Sequence, residues 1–309
     1  MSTQPLLDHA TRTMAAGSNS FATAAKLFDP ATRRSVLMLY TWCRHCDDVI
    51  DDQTLGARSS WPGDGRAEQR LALLRIATLA AYEGQTMTEP AFAAFQEVAL
   101  MHDIPPRLAF DHLDGFAMDV AATTYDTLEE TLRYCYHVAG VVGLMMARVM
   151  GVRDEWVLDR ACDLGLAFQL TNIARDIIDD ATAGRCYLPA QWLAAAGLTP
   201  ENYALRENRP ALAQVAAQVV DAAEPYYASA LDGLGALPPR CALAIATAHS
   251  VYREIGVKVK AAGASAWDRR QHTGRREKLA MLMAAPGQVA MSKMKRPQPR
   301  PARLWQRPV

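Results

Sequence analysis

Two stretches of the 309-residue chain carry aspartates four residues apart. The first reads Tyr40-Thr-Trp-Cys-Arg44-His-Cys-Asp47-Asp48-Val-Ile-Asp51-Asp52. The second reads Gln169-Leu-Thr-Asn172-Ile-Ala-Arg175-Asp176-Ile-Ile-Asp179-Asp180. On a helix, that spacing sets Asp47 with Asp51, and Asp176 with Asp180, on one face. Tyr40 and Arg44 continue the first stripe; Gln169 and Asn172 continue the second. Like charges so placed repel by roughly 0.2–0.5 kcal/mol per pair, and Asp is a poor interior helix residue. The repetition makes sense if cations sit between the clusters. Hard oxygen ligands select Mg²⁺, with Mn²⁺ the alternative, and Mg²⁺ commonly takes one or two carboxylates plus phosphate oxygens. Four carboxylates and the charge of about three on a diphosphate come to roughly seven, and roughly three Mg²⁺ would offset about six of these. Arg44 and Arg175 are placed to supply the rest as planar phosphate donors. An acidic cluster on a helix is commonly a solvated face. Both of these are flanked by apolar residues (Val49, Ile50; Ile173, Ile177, Ile178) and carry amide or guanidinium groups in register. The spacing and the missing central Gly exclude a Ca²⁺ EF-hand loop.

The elements that must position these groups read as helices. Asp29-Pro30 has the form of a helix start, an N-cap followed by Pro at the first helical position, and the pattern runs through Asp52. A Gly/Ser/Pro-rich loop is expected over 55–65. Further helices are predicted over 68–84, 90–101, 105–121, 127–151, 153–181, 208–234, 238–263 and 274–284, with one short helix inside 184–207. No alternating run supports a strand. Hydrophobic residues make up 50% of the chain and charged residues 21%, enough to bury a large core. Thirty-three basic residues balance thirty-three acidic ones, which argues against nucleic acid as a partner. Six cysteines in a chain of this length do not make a disulfide framework, and no signal peptide or membrane span is visible. The expected compartment is the cytoplasm. The expected organisation is an N-terminal segment (1–17), one all-α domain (18–285) and a basic, Pro-rich tail (286–309). The tail holds Lys293, Lys295, Arg296, Arg300, Arg303 and Arg307 without an acid and is expected to form no helix. It reads as a solvated end, or as a weak attachment to anionic lipid head groups at the inner membrane face.

Other motifs carry less. Cys43-x-x-Cys46 lacks a second ligand pair and lies on a predicted helix, so both cysteines read as structural. His137 reads as a satisfied core histidine. Gly233-Leu-Gly235 lacks the third glycine and the strand of a dinucleotide site. Gly140 and Gly143 inside a predicted helix each cost about 1 kcal/mol relative to Ala. Close approach of a ligand chain and helix–helix packing explain them equally well.

Around the aspartates, the chain from about Ser18 to Leu279 resembles the squalene/phytoene synthase family, whose fold is the single-domain, all-α class I isoprenoid synthase bundle with a central cavity. The segments that carry the resemblance are Ser18-Asn-Ser20-Phe21, Trp42-Cys-Arg44, Tyr134-Cys-Tyr136-His-Val138-Ala-Gly140-Val-Val142-Gly143, Gln169 through Asp180, and Gly184-Arg185-Cys-Tyr187-Leu188-Pro189. The first Asp motif permits two registers, Asp47/Asp51 or Asp48/Asp52; the former puts Arg44 three before the pair, as the family has it. The resemblance implies head-to-head condensation of two geranylgeranyl diphosphates, through prephytoene diphosphate, to phytoene. It also implies metal held by Asp47, Asp51, Asp176 and Asp180, supported by Asn172 and Gln169. Ser18, Ser20, Arg44, Tyr134, Arg175, Tyr252 and Arg270 would hold the diphosphates. Phe21, Tyr40, Val138, Val142, Gly143 and Tyr187 would meet the substrate, with Leu166 and Phe168 helping to line a dry channel. Arg270 stands in a segment, Arg269-Arg270-Gln-His272-Thr-Gly274, that departs from the family's Lys-Arg-Ala-Tyr-like pattern. No nicotinamide site is recognisable, which favours phytoene over squalene formation, and no NADPH is expected. The alternatives are a C15-using synthase making squalene or dehydrosqualene, and a non-catalytic prenyl-lipid binding protein. The terminal proton has no evident side-chain base, and released diphosphate is a candidate for it.

Overall fold

The computed structural model describes residues 3–17, 19–51, 53–54, 57–58, 67–295 and 298–308. Its helices start where local chemistry starts them. Asp29 accepts hydrogen bonds from the Ala31 and Thr32 amides (3.1 and 3.0 Å), and Pro30 opens α3 (Pro30–Ile50). Thr127 and Glu130 cap α7 (Leu128–Cys135) reciprocally, each side chain accepting from the other's amide. Ahead of α3 lie α1 (Thr3–Gly17) and α2 (Asn19–Ala25). Between α3 and α7 come α4 (Ala67–Tyr82), α5 (Pro90–Met101) and α6 (Pro106–Val120). Then follow α8 (Val141–Val149), α9 (Glu155–Thr182), the short α10 (Ala190–Ala195), α11 (Arg209–Gly233), α12 (Pro239–Ala262) and α13 (Arg275–Met294). Among the described residues the only strands are the two-residue antiparallel pair Gln53–Thr54 and Ala57–Arg58. Most of the loop expected over 55–65 lies outside the described residues.

The long α9 is the axis of the bundle. It packs on α8, α11 and α12, and its buried residues lie all round its circumference. Gly143 and Gly165 permit the closest approach. A Cβ on Gly143 would lie 2.3 Å from the Ala161 carbonyl oxygen, and one on Gly165 would lie 2.3 Å from that of Ala139. Helix packing therefore accounts for Gly143, and Gly140 meets the Cys162 sulfur in the same seam.

Two expectations are corrected by the fold. The helix foreseen over 127–151 is not continuous: a π-helical turn, Tyr136–Gly140, separates α7 from α8. Such a turn adds a residue to the helix and re-aims the side chains beyond it. Within the N-terminal segment, α1 packs on α3 with Ala10 and Met14 buried. The basic, Pro-rich end is neither non-helical nor free. α13 continues through Pro286 because Ala285 (0% exposed) and Val289 keep the buried stripe in register, offsetting the lost hydrogen bond. Beyond it, residues 298–308 fold back onto α9 and α11. Arg300 grips the fully buried Asp163 with two nitrogens, Arg307 pairs with Asp159 (2.7 Å) and Glu155, Leu304 is buried, and the Trp305 amide donates to the Tyr226 hydroxyl (3.1 Å). Arg300 and Arg307, which look unpartnered in the chain end, thus meet acids from far upstream.

Among the described residues no helix is long and apolar enough to cross a membrane.

Candidate active site

One cavity of about 800 Å³ runs inside the bundle, at the upper end of the usual range for small-molecule sites. The C-terminal end of α3 brings Asp47 and Asp51 to its mouth; the corresponding end of α9 brings Asp176 and Asp180. Asp47 and Asp51 line the cavity, whereas Asp48 is buried against Arg44 (2.6 Å) and does not line it. Asp52 lies outside the described residues.

Arginines interleave with these carboxylates. Arg44 donates to Asp47 (3.1 Å), Arg185 to Asp51, Arg175 to Asp176 (2.8 Å through Nε) and Arg270 to Asp176 (2.9 Å). Arg270 therefore reaches the mouth although its segment departs from the family pattern. Charge is crowded there. Burial, with the Asp176 charge next in effect, pushes Asp180 up to about 7. Burial pushes Asp47 up to about 6 against the opposing pull of Arg44, with Asp51 adding to the rise. The Asp47 side chain is 45% exposed, so water screens part of this.

Among the described residues no three His, Cys, Asp or Glu form a cage able to hold an ion alone. The donor set fits ions that share their coordination with a phosphate. A second observation agrees: Asn172 Oδ1, one turn before Asp176, is buried and accepts no hydrogen bond, while its amide nitrogen donates to Gln169 (3.3 Å). An oxygen so placed suits a hydrated cation.

Below the mouth one wall is a tyrosine group. Tyr134 and Tyr187 stack with ring centres 4.5 Å apart and donate to the two oxygens of Asp119, at 3.2 and 2.8 Å. The segment holding Tyr187 is tied to α7 by the Thr131 hydroxyl, which donates to the Tyr187 carbonyl (3.0 Å). Burial raises the Asp119 carboxyl, and the tyrosine hydrogen bonds oppose the rise. The facing wall is aromatic. Phe168 stacks on Tyr252 at 4.3 Å, Phe21 lies 5.3 Å from Tyr252, and Tyr40 lies 6.5 Å from Phe21. Ring faces can stabilise a cation by roughly 0.5–2 kcal/mol each. Deeper, Val138, Val142 and Gly143 face the cavity. It continues down α9 past Phe168, Gly165 and Leu164 to Arg160, sixteen residues below Asp176 and about 24 Å at 1.5 Å per residue. Leu166 does not line it: it points into the core at 0% exposure, because the cavity face of α9 runs through 161, 164, 165 and 168. His137 is satisfied by the Asp111 carbonyl at 2.8 Å. Cys43 is at the cavity wall, its thiol pushed up to about 12 by burial.

Apart from Leu166, every site residue expected from the sequence lines this cavity except Ser18, which lies outside the described residues, and Ser20, whose side chain does. Sequence reasoning missed Asp119 and did not assign a role to Arg185. Arg185 stands inside the Gly184–Pro189 segment and could have been read from it. Asp119 has no local signal: it matters only because α6 folds beside α7.

The family model for squalene/phytoene synthase matches residues 14–277. The chain is similar to a phytoene synthase of Pseudescherichia vulneris, 77% identical over the whole of both chains. It is also similar to a 15-cis-phytoene synthase of Pantoea ananas, 66% identical over the whole of both. Among solved structures, a dehydrosqualene synthase in complex with ligand superposes with a TM-score of 0.81 at 25% identity, covering 93% of this chain and 98% of that one. A squalene synthase from Alicyclobacillus acidocaldarius superposes at 0.73 and 22% identity, covering 84% and 95%, and so shares the fold. This chain belongs to the squalene/phytoene synthase family.

Proposed function

We propose that the protein condenses two geranylgeranyl diphosphates head to head, through the cyclopropyl intermediate prephytoene diphosphate, to 15-cis-phytoene. It would thus be a prenyltransferase of carotenoid biosynthesis. The observation that carries the proposal is a mouth of four aspartates and four arginines set over an apolar cavity about 24 Å deep along α9. Relatives 77% and 66% identical over their full length bear the names of phytoene synthases.

Members of this family generally work with divalent metals. Mg²⁺ is the ion proposed, held by Asp47, Asp51, Asp176 and Asp180 with Asn172 in support, and Mn²⁺ is the alternative. When bound, the ions act as Lewis acids on the departing diphosphate. The chain's own residues do the rest. Arg44, Arg175, Arg185 and Arg270, now engaged with the carboxylates, bind phosphate oxygens. Asp119 fixes Tyr134 and Tyr187, so that their rings and hydroxyls stand at the reacting end. The aromatic wall of Phe21, Tyr40, Phe168 and Tyr252 faces the allylic cation, and the apolar shaft below excludes the water that would quench it to an alcohol. The last step loses a proton rather than gaining hydride, so no NADPH enters. Released diphosphate is proposed as the base. Substrate and product are lipids, and the protein is proposed to work at the cytoplasmic face of a membrane. Of the expected basic tail, Arg300 and Arg307 are committed to ion pairs and cannot lead that attachment.

The test is incubation of purified protein with geranylgeranyl or farnesyl diphosphate plus Mg²⁺, followed by extraction and mass analysis. A C40 hydrocarbon with a conjugated triene supports the proposal. A C30 product formed only from the shorter substrate moves it to squalene or dehydrosqualene synthesis. No hydrocarbon from either refutes it and leaves a prenyl-lipid binding protein.

A further inference from the structure

We infer that the exposed face of α13 docks on an anionic lipid bilayer, with the helix lying flat in the head-group region. From Leu279 to Ser292 the sequence has no charged residue, although α13 is a surface helix. Leu279 is 60% exposed, Met283 74%, Met291 60% and Met294 86%. Helical periodicity gathers these four on one side, with exposed Ala280, Gly287 and Ala290 between them. The opposite side, Ala285 and Val289, is buried in the bundle. A solvent-facing helix side ordinarily carries charge, and an uninterrupted apolar one marks a contact surface.

The occupant follows from the charges at its two ends. Arg275 and Arg276 are exposed at the N-terminal end; Lys293 and Lys295 are exposed at the C-terminal end. The single acid of the helix, Glu277, is occupied by Lys258 (2.6 Å) and the Gly274 amide (2.6 Å). A second copy laid on this face, parallel or antiparallel, would bring cations against cations. An anionic bilayer complements both ends while taking up the apolar middle.

The position suits the chemistry, and here the inference rests on the proposed condensation. The Gly235 amide, in the turn after α11, donates to Ser292 of α13 at 2.9 Å. Gly233, Leu234 and Leu237 of this turn line the deep end of the cavity. Its outer side, with Asp232, Gly235 and Ala236, joins Trp156 and Lys293 around a separate surface pocket of about 230 Å³. A single turn of chain thus separates the deep end of the cavity from the inner side of α13, whose outer side is the face turned to lipid.

The test is sedimentation of the full-length protein with phosphatidylglycerol/phosphatidylcholine vesicles, alongside the combined variant Leu279→Glu, Met283→Glu, Met291→Glu. All three positions are exposed and none belongs to the site. A detergent assay of hydrocarbon formation reads activity separately, so failure of the catalytic reading shows there and not in sedimentation. The expected result is an unchanged detergent assay and a vesicle partition lowered by about tenfold or more. The combined variant Arg275→Ser, Arg276→Ser, Lys293→Ser, Lys295→Ser should weaken binding to phosphatidylglycerol vesicles at low salt. Wild-type partition in the glutamate variant overturns the inference. So does a wild-type protein that ignores vesicles, or one that forms a dimer which the glutamate variant abolishes.

Discussion

The crowded carboxylates at the cavity mouth make a prediction that needs no substrate. Asp180 is raised to about 7, by burial first and by Asp176 next. In the unfolded chain it returns to its ordinary value near 3.8. The sign comes from proton binding: between these values the folded state holds a proton that the unfolded state has lost, so this group favours folding as the pH falls through 7. Going from pH 8 to pH 6, a folded value of about 7 changes the ionised fraction from about nine-tenths to about one-tenth, a gain of about 1.4 kcal/mol. Buried histidines work the other way. His112 and His249 are lowered to about 4, chiefly by burial, and they lose stability over the same interval because only the unfolded chain takes up their protons. A bare pH–stability curve therefore mixes opposing contributions. The difference between wild type and Asp180→Asn cancels the histidines, since both proteins have them. Metal-free Asp180→Asn should be the more stable protein at pH 8, and its advantage should shrink by about 1.4 kcal/mol at pH 6. Urea unfolding of the two chelator-treated proteins at both pH values measures this. With Mg²⁺ and inorganic diphosphate added, the order at pH 8 should reverse, because only the wild type gains the full binding energy. An advantage that does not change between pH 8 and pH 6 would show that Asp180 is not held in a crowded, poorly hydrated mouth.

Asp176→Asn, which leaves an amide where a metal-binding carboxylate is proposed, should lower hydrocarbon formation by about 10²–10³ or more with an unchanged helical circular dichroism spectrum; near-normal turnover would contradict the metal role. Asp119→Asn should lower kcat more than it raises KM, because it loosens Tyr134 and Tyr187 without touching the metal-binding side chains, and steady-state kinetics with geranylgeranyl diphosphate checks the split. Gly143→Ala forces a methyl to within 2.3 Å of the Ala161 carbonyl oxygen and should destabilise by about 1–3 kcal/mol in urea. Arg300→Ala leaves the Asp163 carboxylate buried without its cation. The loss should approach about 3–5 kcal/mol, and limited proteolysis should cut the chain end first; a protease-resistant end would mean that the docked segment does not depend on this pair.

The parts of this molecule that could be read from the chain are those whose partners lie within one or two helical turns. The N-cap at Asp29, the capped start of α7 and the i, i+4 aspartates all express contacts between neighbours in sequence, and each stands where its spacing puts it. The π-helical turn at Tyr136–Gly140 has no such signature. Its apolar residues continue the α-helical pattern, and the distortion is set by how α6 and α9 pack around it. Leu166 departs from the sequence expectation for a related reason. A helix buried all round has no polar side from which to read the direction of a cavity.

The chain end and Asp119 show the limit from the other direction, since in both the meaning of a charge depends on a distant partner. Counted by itself, the segment after Pro297 is cationic and lacks acids, which is the composition of a solvated tail. Folded, its Arg300 reaches a carboxylate 137 residues away, and its Arg307 reaches two on the same helix. Asp119 is likewise an ordinary acid near the end of α6 until Tyr187, 68 residues later, donates to it. The opposite case is the exposed side of α13, where no partner arrives from the described residues. Its middle lacks charge although no described part of this chain covers its exposed side. A charge-free surface explained neither by the core nor by a neighbouring helix has to be explained by what meets it from outside. With cations at both ends of the apolar face, the surface that fits is lipid, and the vesicle experiment decides it.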